Sequence, residues 1–550
     1  NPIIISTQAQ WNEFAYSIYT GAKTYSGQYI KLTTDITINN SSHADTNGNN
    51  LDFGAVASVP ANGTTAPNNL AYNFAGNVHY DNGDKSFQGN FDGNGHTITI
   101  NYVSGGYYRI SVFPNAKNAT FKNLTVDGQI MAASQMNGAR GVYVTAAYDV
   151  AGFVGKPFGN LSFVNCINKA NITGLRNVAG ILGYNPSGYT IQLESCVNSG
   201  NIISLEGSFT LGGETRDNKT YSYDDGWGNK AYSYGTGGII GGVTGDLTIE
   251  SCRNTGNITG GHNVGGIIGY SDGTGTGSGV KTLTIDSCAN TGTITANSGN
   301  WDDGQGGYAD EDDNTPRGSV SRGVRQNIFG YAGGLVGRTG EYSLLKMFAS
   351  YNSGEVVTYS NISGGLVGGV GYMGQGSGEK NSVITPGKSV IAYCYNVGTV
   401  KAGGTFPKHT ENWGPGQREN HGGDIVGGLA GLVGNILITD CYNAGDVYAY
   451  GITCYGGSWQ LRAGGIVGQS DPVDTSQEVM FRNIYNAGTV YCRSIYNYYG
   501  TFNTVKNLRY GAAISGYCDD ENNSSTRIKS QNCYTIAYAV DIRIAEQKQT

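Results

Sequence analysis

What this sequence has little of narrows it first. Charged residues make up only 14% of the 550, and a net charge of −7 is weak over that length. Nucleic-acid binding needs Lys and Arg gathered on one face, so no nucleic-acid partner is expected. No run is long and apolar enough to cross a bilayer, so no transmembrane segment is expected in this chain. No basic leader precedes an apolar stretch, so a leader has been removed or the chain is an excised fragment. Histidine is scarce, at six residues. The His-Glu-x-x-His pair of zinc peptidases and the full Gly-x-x-x-x-Gly-Lys-Ser/Thr of phosphate loops are both absent.

What is abundant is glycine, at 88 residues, and tyrosine, at 39. The glycines recur in a pattern. Gly237-Gly-Ile-Ile-Gly leads into Leu247-Thr-Ile-Glu-Ser-Cys-Arg-Asn-Thr-Gly-Asn-Ile-Thr259, and Gly265-Gly-Ile-Ile-Gly leads into Leu283-Thr-Ile-Asp-Ser-Cys-Ala-Asn-Thr-Gly-Thr-Ile-Thr295. Two copies differing mainly in linker length are one unit used repeatedly. The first half returns from Ala151, Ala179, Gly333, Gly364, Ala430 and Gly464. The second returns at Cys166, Cys196, Cys394 and Cys441, with Ser350 and Ile484 in the cysteine's place. The tightest spacing, Asn168 to Asn198, is thirty residues. Each unit carries three short runs rich in β-branched residues, too short for helices. Three strands per coil, joined by Gly, Asn, Asp and Ser, predict an all-β chain folded as a right-handed parallel β-helix.

Side-chain columns follow from that prediction. Leu247, Ile249 and Ile258 should point inward and stack on Leu283, Ile285 and Ile294 at about 4.8 Å per step. Asn254 should sit beneath Asn290 in an amide ladder, the arrangement that lets a polar residue survive near a core. Cys166, Cys196, Cys252, Cys288, Cys394, Cys441 and Cys533 occupy one register, which predicts a column of small apolar thiols rather than disulfides or a zinc site. Cys454 and Cys492, placed in insertions of adjacent coils, are the pair expected to oxidise.

The Gly334-Leu-Val-Gly337, Gly365-Leu-Val-Gly368 and Gly431-Leu-Val-Gly434 segments resemble the GLUG motif of bacterial surface and secreted proteins. The resemblance spans roughly Asp149 to Gly516. It implies a bacterial chain, extracellular or at the cell surface, of a kind also found in immunoglobulin A1 peptidases and adhesins. It transfers no catalytic residue.

Four segments are expected. Residues 1–40 hold a capping helix, read from Thr7-Gln-Ala-Gln10 and the Trp11, Phe14, Ile18 stripe, and a first strand. Residues 41–148 form irregular first coils with a polar loop. Residues 149–516 are the repeats, and 517–550 the final coil and tail, where no second lid is evident.

Candidate chemistry gathers in the insertions 204–236, 296–331, 401–426, 448–462 and 491–511. All follow the Gly-x-Ile/Val strand, so they should emerge along one edge of the solenoid. Four of the five tryptophans, Trp227, Trp301, Trp413 and Trp459, fall one each in four of them, beside Tyr223, Tyr234, Tyr308 and Tyr455. Such rings suit the C–H faces of sugars; the alternative is that they pack the loops against the wall. Asp302 and Asp303, with Glu411 and His421, are the weak catalytic candidates, as a carboxylate pair for glycoside hydrolysis would require. Asp310, Asp312 and Asp313 could hold Ca²⁺ through oxygens, although the spacing fits no defined calcium loop. A solvated acidic loop accounts for all five aspartates equally. Gly269-Tyr-Ser-Asp-Gly273 matches a hydrolase elbow but lies where no strand-to-helix turn is expected. The expected function is a surface binding module, adhesin-like, recognising an extracellular glycan or a host or partner surface. A polysaccharide lyase or glycoside hydrolase, and a structural stalk, are the alternatives.

Overall fold

The computed structural model describes residues 1–39, 44–51, 74–75, 85–103, 109–135, 143–146, 148–174, 176–185, 188–204, 234–261, 263–273, 280–296, 331–340, 342–358, 362–371, 387–403, 421–422, 425–453, 461–470, 472, 477–496, 509–518, 527–536 and 540–546. They form a parallel β-helix, with one α-helix among the described residues, Gln8–Thr20. In one coil the chain runs through Thr236–Gly237, Ile240–Thr244, Leu247–Glu250, Arg253–Asn254 and Ile258–Gly260. Each strand pairs in parallel with its counterpart in the next coil. The register is residue on residue: Leu247, Ile249 and Ile258 meet Leu283, Ile285 and Ile294, and all six are buried.

Two halves of the repeat explain each other in the interior. Asn168, Asn198, Asn254, Asn290, Asn352, Asn396, Asn443 and Asn486 form a continuous ladder, each Nδ2 donating to the next Oδ1 at 2.7–3.0 Å. The second Nδ2 hydrogen goes to the carbonyl two residues on, as in Asn254 to Gly256 at 2.8 Å. The glycine stripe lies against this ladder. A Cβ on Gly266 would come within 2.5 Å of Asn290 Cγ and 2.2 Å of the Gly334 carbonyl oxygen. The second glycine of each pair is therefore required by the asparagine ladder and by the next coil's backbone, while Gly265 and Gly269 are confined by backbone alone.

The cysteine column forms as predicted. Cys196 N–H donates to Cys252 Sγ at 3.3 Å, Cys288 N–H to Ser350 Oγ at 3.0 Å, and Cys394 N–H to Cys441 Sγ at 3.3 Å. Ile484 and Cys533 continue the register above Cys441. One thiol departs from expectation: Cys492 is buried in the core on strand Val490–Tyr496, not in an insertion. Cys454 lies outside the described residues.

The corner before this column is a left-handed residue in coil after coil, as at Asn165 (φ 59°), Ser251 (φ 55°), Asp440 (φ 54°) and Asn532 (φ 53°). Asn, Asp and Ser tolerate that region because their short polar side chains bond locally.

The N-terminal end is lidded by the helix. Thr7 caps it by accepting from Gln10 N–H at 3.2 Å, and Gly21 ends it at φ 80°. The box is offset: Gln10 Oε1 accepts from Ser6 N–H at 2.7 Å instead of from Thr7. Trp11 meets Phe91 and Phe113 edge-on at 6.1 Å, so the amphipathic face closes the first coils. Ile3–Ile5, within the stretch read as non-repeating, pairs in parallel with Tyr29–Leu32.

Candidate binding edge

The third strands of successive coils end one above another, at Ser204, Gly260, Ala296, Thr358 and Ala402, and in the next two coils Ala449 and Cys492 hold that register while the strands run on to Thr453 and Tyr496. The strands that follow begin in a second stack, from Thr236 through Tyr331, Ile362 and Ile425 to Leu461 and Arg509. The insertions therefore leave and return along a single edge. Two of them start later than their sequence suggests, because Val447–Thr453 and Val490–Tyr496 continue the sheet, with Tyr448 stacked on Tyr491 at 4.5 Å.

Most candidate residues lie outside the described residues: Trp227, Trp301, Trp413, Trp459, Tyr223, Tyr308, Tyr455, Asp302, Asp303, Asp310, Asp312, Asp313 and Glu411. His421 is described in its backbone alone. The short strand His421–Gly422 pairs antiparallel with Gly451 and Ile452, which puts it on the same edge. Tyr234 is described fully. Its ring lies under the Arg176 guanidinium at 4.3 Å, and its carbonyl accepts from Asn263 Nδ2 at 2.7 Å.

Tyr234 belongs to a row that sequence reasoning missed. The outer faces of the two glycine-flanked strands fold toward each other at the glycine pair and enclose a second set of buried side chains. Arg338 lies over the Tyr331 ring at 4.8 Å, and Tyr331 packs with Ile362, Ile425 and Leu432. Tyr270, the strand partner of Arg338, donates to Asp272 Oδ2 at 2.7 Å. At the N-terminal end of the row Asp149 accepts from Asn177 Nδ2 at 2.8 Å and lies 3.7 Å from Arg109. Burial pushes the Tyr184 hydroxyl up to about 12, and burial with the Asp272 charge raises Tyr270 as well. Both stay protonated at neutral pH, and Tyr270 acts as a donor to Asp272. The signal for this row was present: Tyr184, Tyr270 and Arg338 each follow the last glycine of the motif.

One motif loses its chemical reading. Ser271 lies in strand Ile268–Asp272, with its Oγ buried 3.0 Å from Ser343 Oγ, so the elbow pattern has no strand-to-helix turn. Among the described residues no group of three His, Cys, Asp or Glu side chains is placed to hold a metal ion.

No family model matches the chain, and no curated protein does. A solved Bacteroides ovatus chain, provisionally assigned as an immunoglobulin A1 protease, is similar at 13% identity. The match covers 79% of this chain and 84% of that one, with a TM-score of 0.34. A likeness that low leaves the fold resting on the strand pairings themselves.

Proposed function

We propose that this chain is an extracellular or cell-surface binding module, adhesin-like, that recognises glycan through the insertions of its one edge. The observation that supports it is the stacking of the insertion ends. A solenoid lengthened repeatedly at one corner builds a continuous binding rim, and four tryptophans fall within those insertions. The Arg176–Tyr234 and Arg338–Tyr331 pairs anchor the base of that rim. A glycan array probed with the native chain and with Trp227→Ala, Trp301→Ala and Trp413→Ala tests it. At least one glycan class should bind, with a loss of tenfold or more in at least two variants. Binding that no variant changes rejects the edge. A lyase or hydrolase is the second reading, because the His421 segment pairs at the same edge. Release of reducing ends from the bound polysaccharide distinguishes it from a pure binder.

A further inference from the structure

The C-terminal coils carry tyrosine at one outward position. Tyr351, Tyr395, Tyr442, Tyr485 and Tyr534 are strand partners in successive coils. The first three rings stack at 5.0 and 4.9 Å with their planes within 2°. Ring faces inside the column are thereby occupied by neighbouring rings, and solvent meets edges and hydroxyls. A second column runs two residues earlier in each coil. There Asn483 Nδ2 donates to Asp440 Oδ1 at 2.7 Å, and Asn532 Nδ2 to Asn483 Oδ1 at 3.0 Å. Tyr393 completes that column at φ 58°, an unfavourable backbone for a bulky side chain, yet its ring is 67% exposed. Core packing does not account for a tyrosine there.

We propose that these two columns form a second binding surface, for a neutral, extended β-1,4-linked glycan lying along the solenoid axis. Asp440 is the one charged residue of the two columns, and the neighbouring Arg482 is held by Thr439 Oγ1 and the Asp440 charge, so polyanions find no excess of positive charge there. The periodicity selects the polymer. One pyranose with its glycosidic oxygen advances by nearly one coil spacing, roughly 4.8 Å, and a β-1,4 linkage turns every second ring over, so alternate sugars meet alternate tyrosine hydroxyls alike. An extended peptide advances only about 3.3 Å per residue and loses register within two coils. An α-linked glucan coils and turns its hydroxyls away. The strip lies on the Cys-x-Asn strands, whereas the insertions follow the Gly-x-Ile/Val strands, so this surface shares with the proposed function only the ligand class.

Calorimetric titration of the full chain with cello-, chito- and manno-oligosaccharides of two to six residues tests it, with malto-oligosaccharides as the coiled control. For at least one β-1,4 series, affinity should rise with length to about five residues and then level off, while the malto series should not bind. Tyr395→Phe/Tyr442→Phe/Tyr485→Phe keeps the stacked rings, removes three hydroxyls, and should weaken binding at least tenfold. Unchanged binding by that variant, affinity independent of length, equal binding of malto-oligosaccharides, or no binding by any β-1,4 series would each overturn the proposal. Binding abolished by Trp227→Ala and untouched by the phenylalanine variant would reject the strip and leave the insertion edge standing.

Discussion

In the first coils the interior is aromatic. Phe87, Phe91, Phe113 and Phe121 pack at mixed angles with centroids 4.8–6.1 Å apart, and Phe163 stacks on Phe121 at 5.2 Å. From Cys166 upward the same cross-section is filled mainly by thiols, asparagines and aliphatic side chains that meet their own kind in the next coil, with Ser350, Phe481 and Ile484 as exceptions. The aromatic core is a jigsaw: each ring has a distinct set of neighbours, and the helix supplies the last piece. The ladder core has translational symmetry, so a coil can be added wherever the pattern is kept. Outward positions show the reverse, with the tyrosine column confined to the ladder region.

The aromatic core should be the easier one to break. Trp11→Ala removes the largest fully buried side chain among the described residues, in contact with Phe14, Phe91 and Phe113. It should cost about 3–5 kcal/mol. In native-state hydrogen exchange, Tyr29–Leu32 and Asn90–Asp92 should lose protection while Leu247–Glu250 keeps it. Uniform loss along the solenoid would mean that the two regions unfold as one unit.

The unequal legibility of the two regions has the same physical origin. A ladder writes its register into the sequence, because like must stack on like; hence Leu247 on Leu283 and Asn254 on Asn290 were readable without coordinates. The jigsaw leaves no period, so Ile3–Ile5 went unseen and the pairing of Trp11 with Phe113 could not be placed. The helix itself was legible from Thr7 and its apolar stripe. At the candidate edge, the common point of departure was readable because only turns can lengthen. The Arg176–Tyr234 and Arg338–Tyr331 pairs were not, because they depend on how sharply the glycine pair folds two strands together.

Within the ladder, position along the column should decide the cost. Asn290→Leu leaves Asn254 without its acceptor and Asn352 without its donor, and sets a larger side chain against Gly266. About 1–3 kcal/mol should be lost. Asn168→Val is the control. Asn168 Oδ1 is buried and accepts no hydrogen bond, and Val126 already occupies the register below. The substitution moves the ladder's unpaired end up one coil, to Asn198, and adds only the loss of the Nδ2 donor to the Ala170 carbonyl, with no side-chain amide left without an acceptor. Urea denaturation of the two variants should therefore rank Asn290→Leu well below Asn168→Val. Equal losses would show that the amide ladder is not the source of the stability.

The smallest expected effect is at the thiol column. Ser350 already fills that register, accepting from Cys288 N–H and donating to the Phe348 carbonyl. Cys252→Ser should preserve both kinds of bond and cost about 1 kcal/mol or less. Burial pushes the Cys166 and Cys394 thiols up, so thiolate is scarce at those two positions. Cys533, half-buried in the last described coil, differs from the other six. Timed alkylation read by mass spectrometry should label Cys533 first, with Cys166, Cys196, Cys252, Cys288, Cys394 and Cys441 reacting only as the coils open. Rapid labelling of Cys252 in the native chain would contradict an inward column. It would also remove the basis for treating the aromatic core as the easier one to break, because a coil that admits reagent at Cys252 is open beside Asn254.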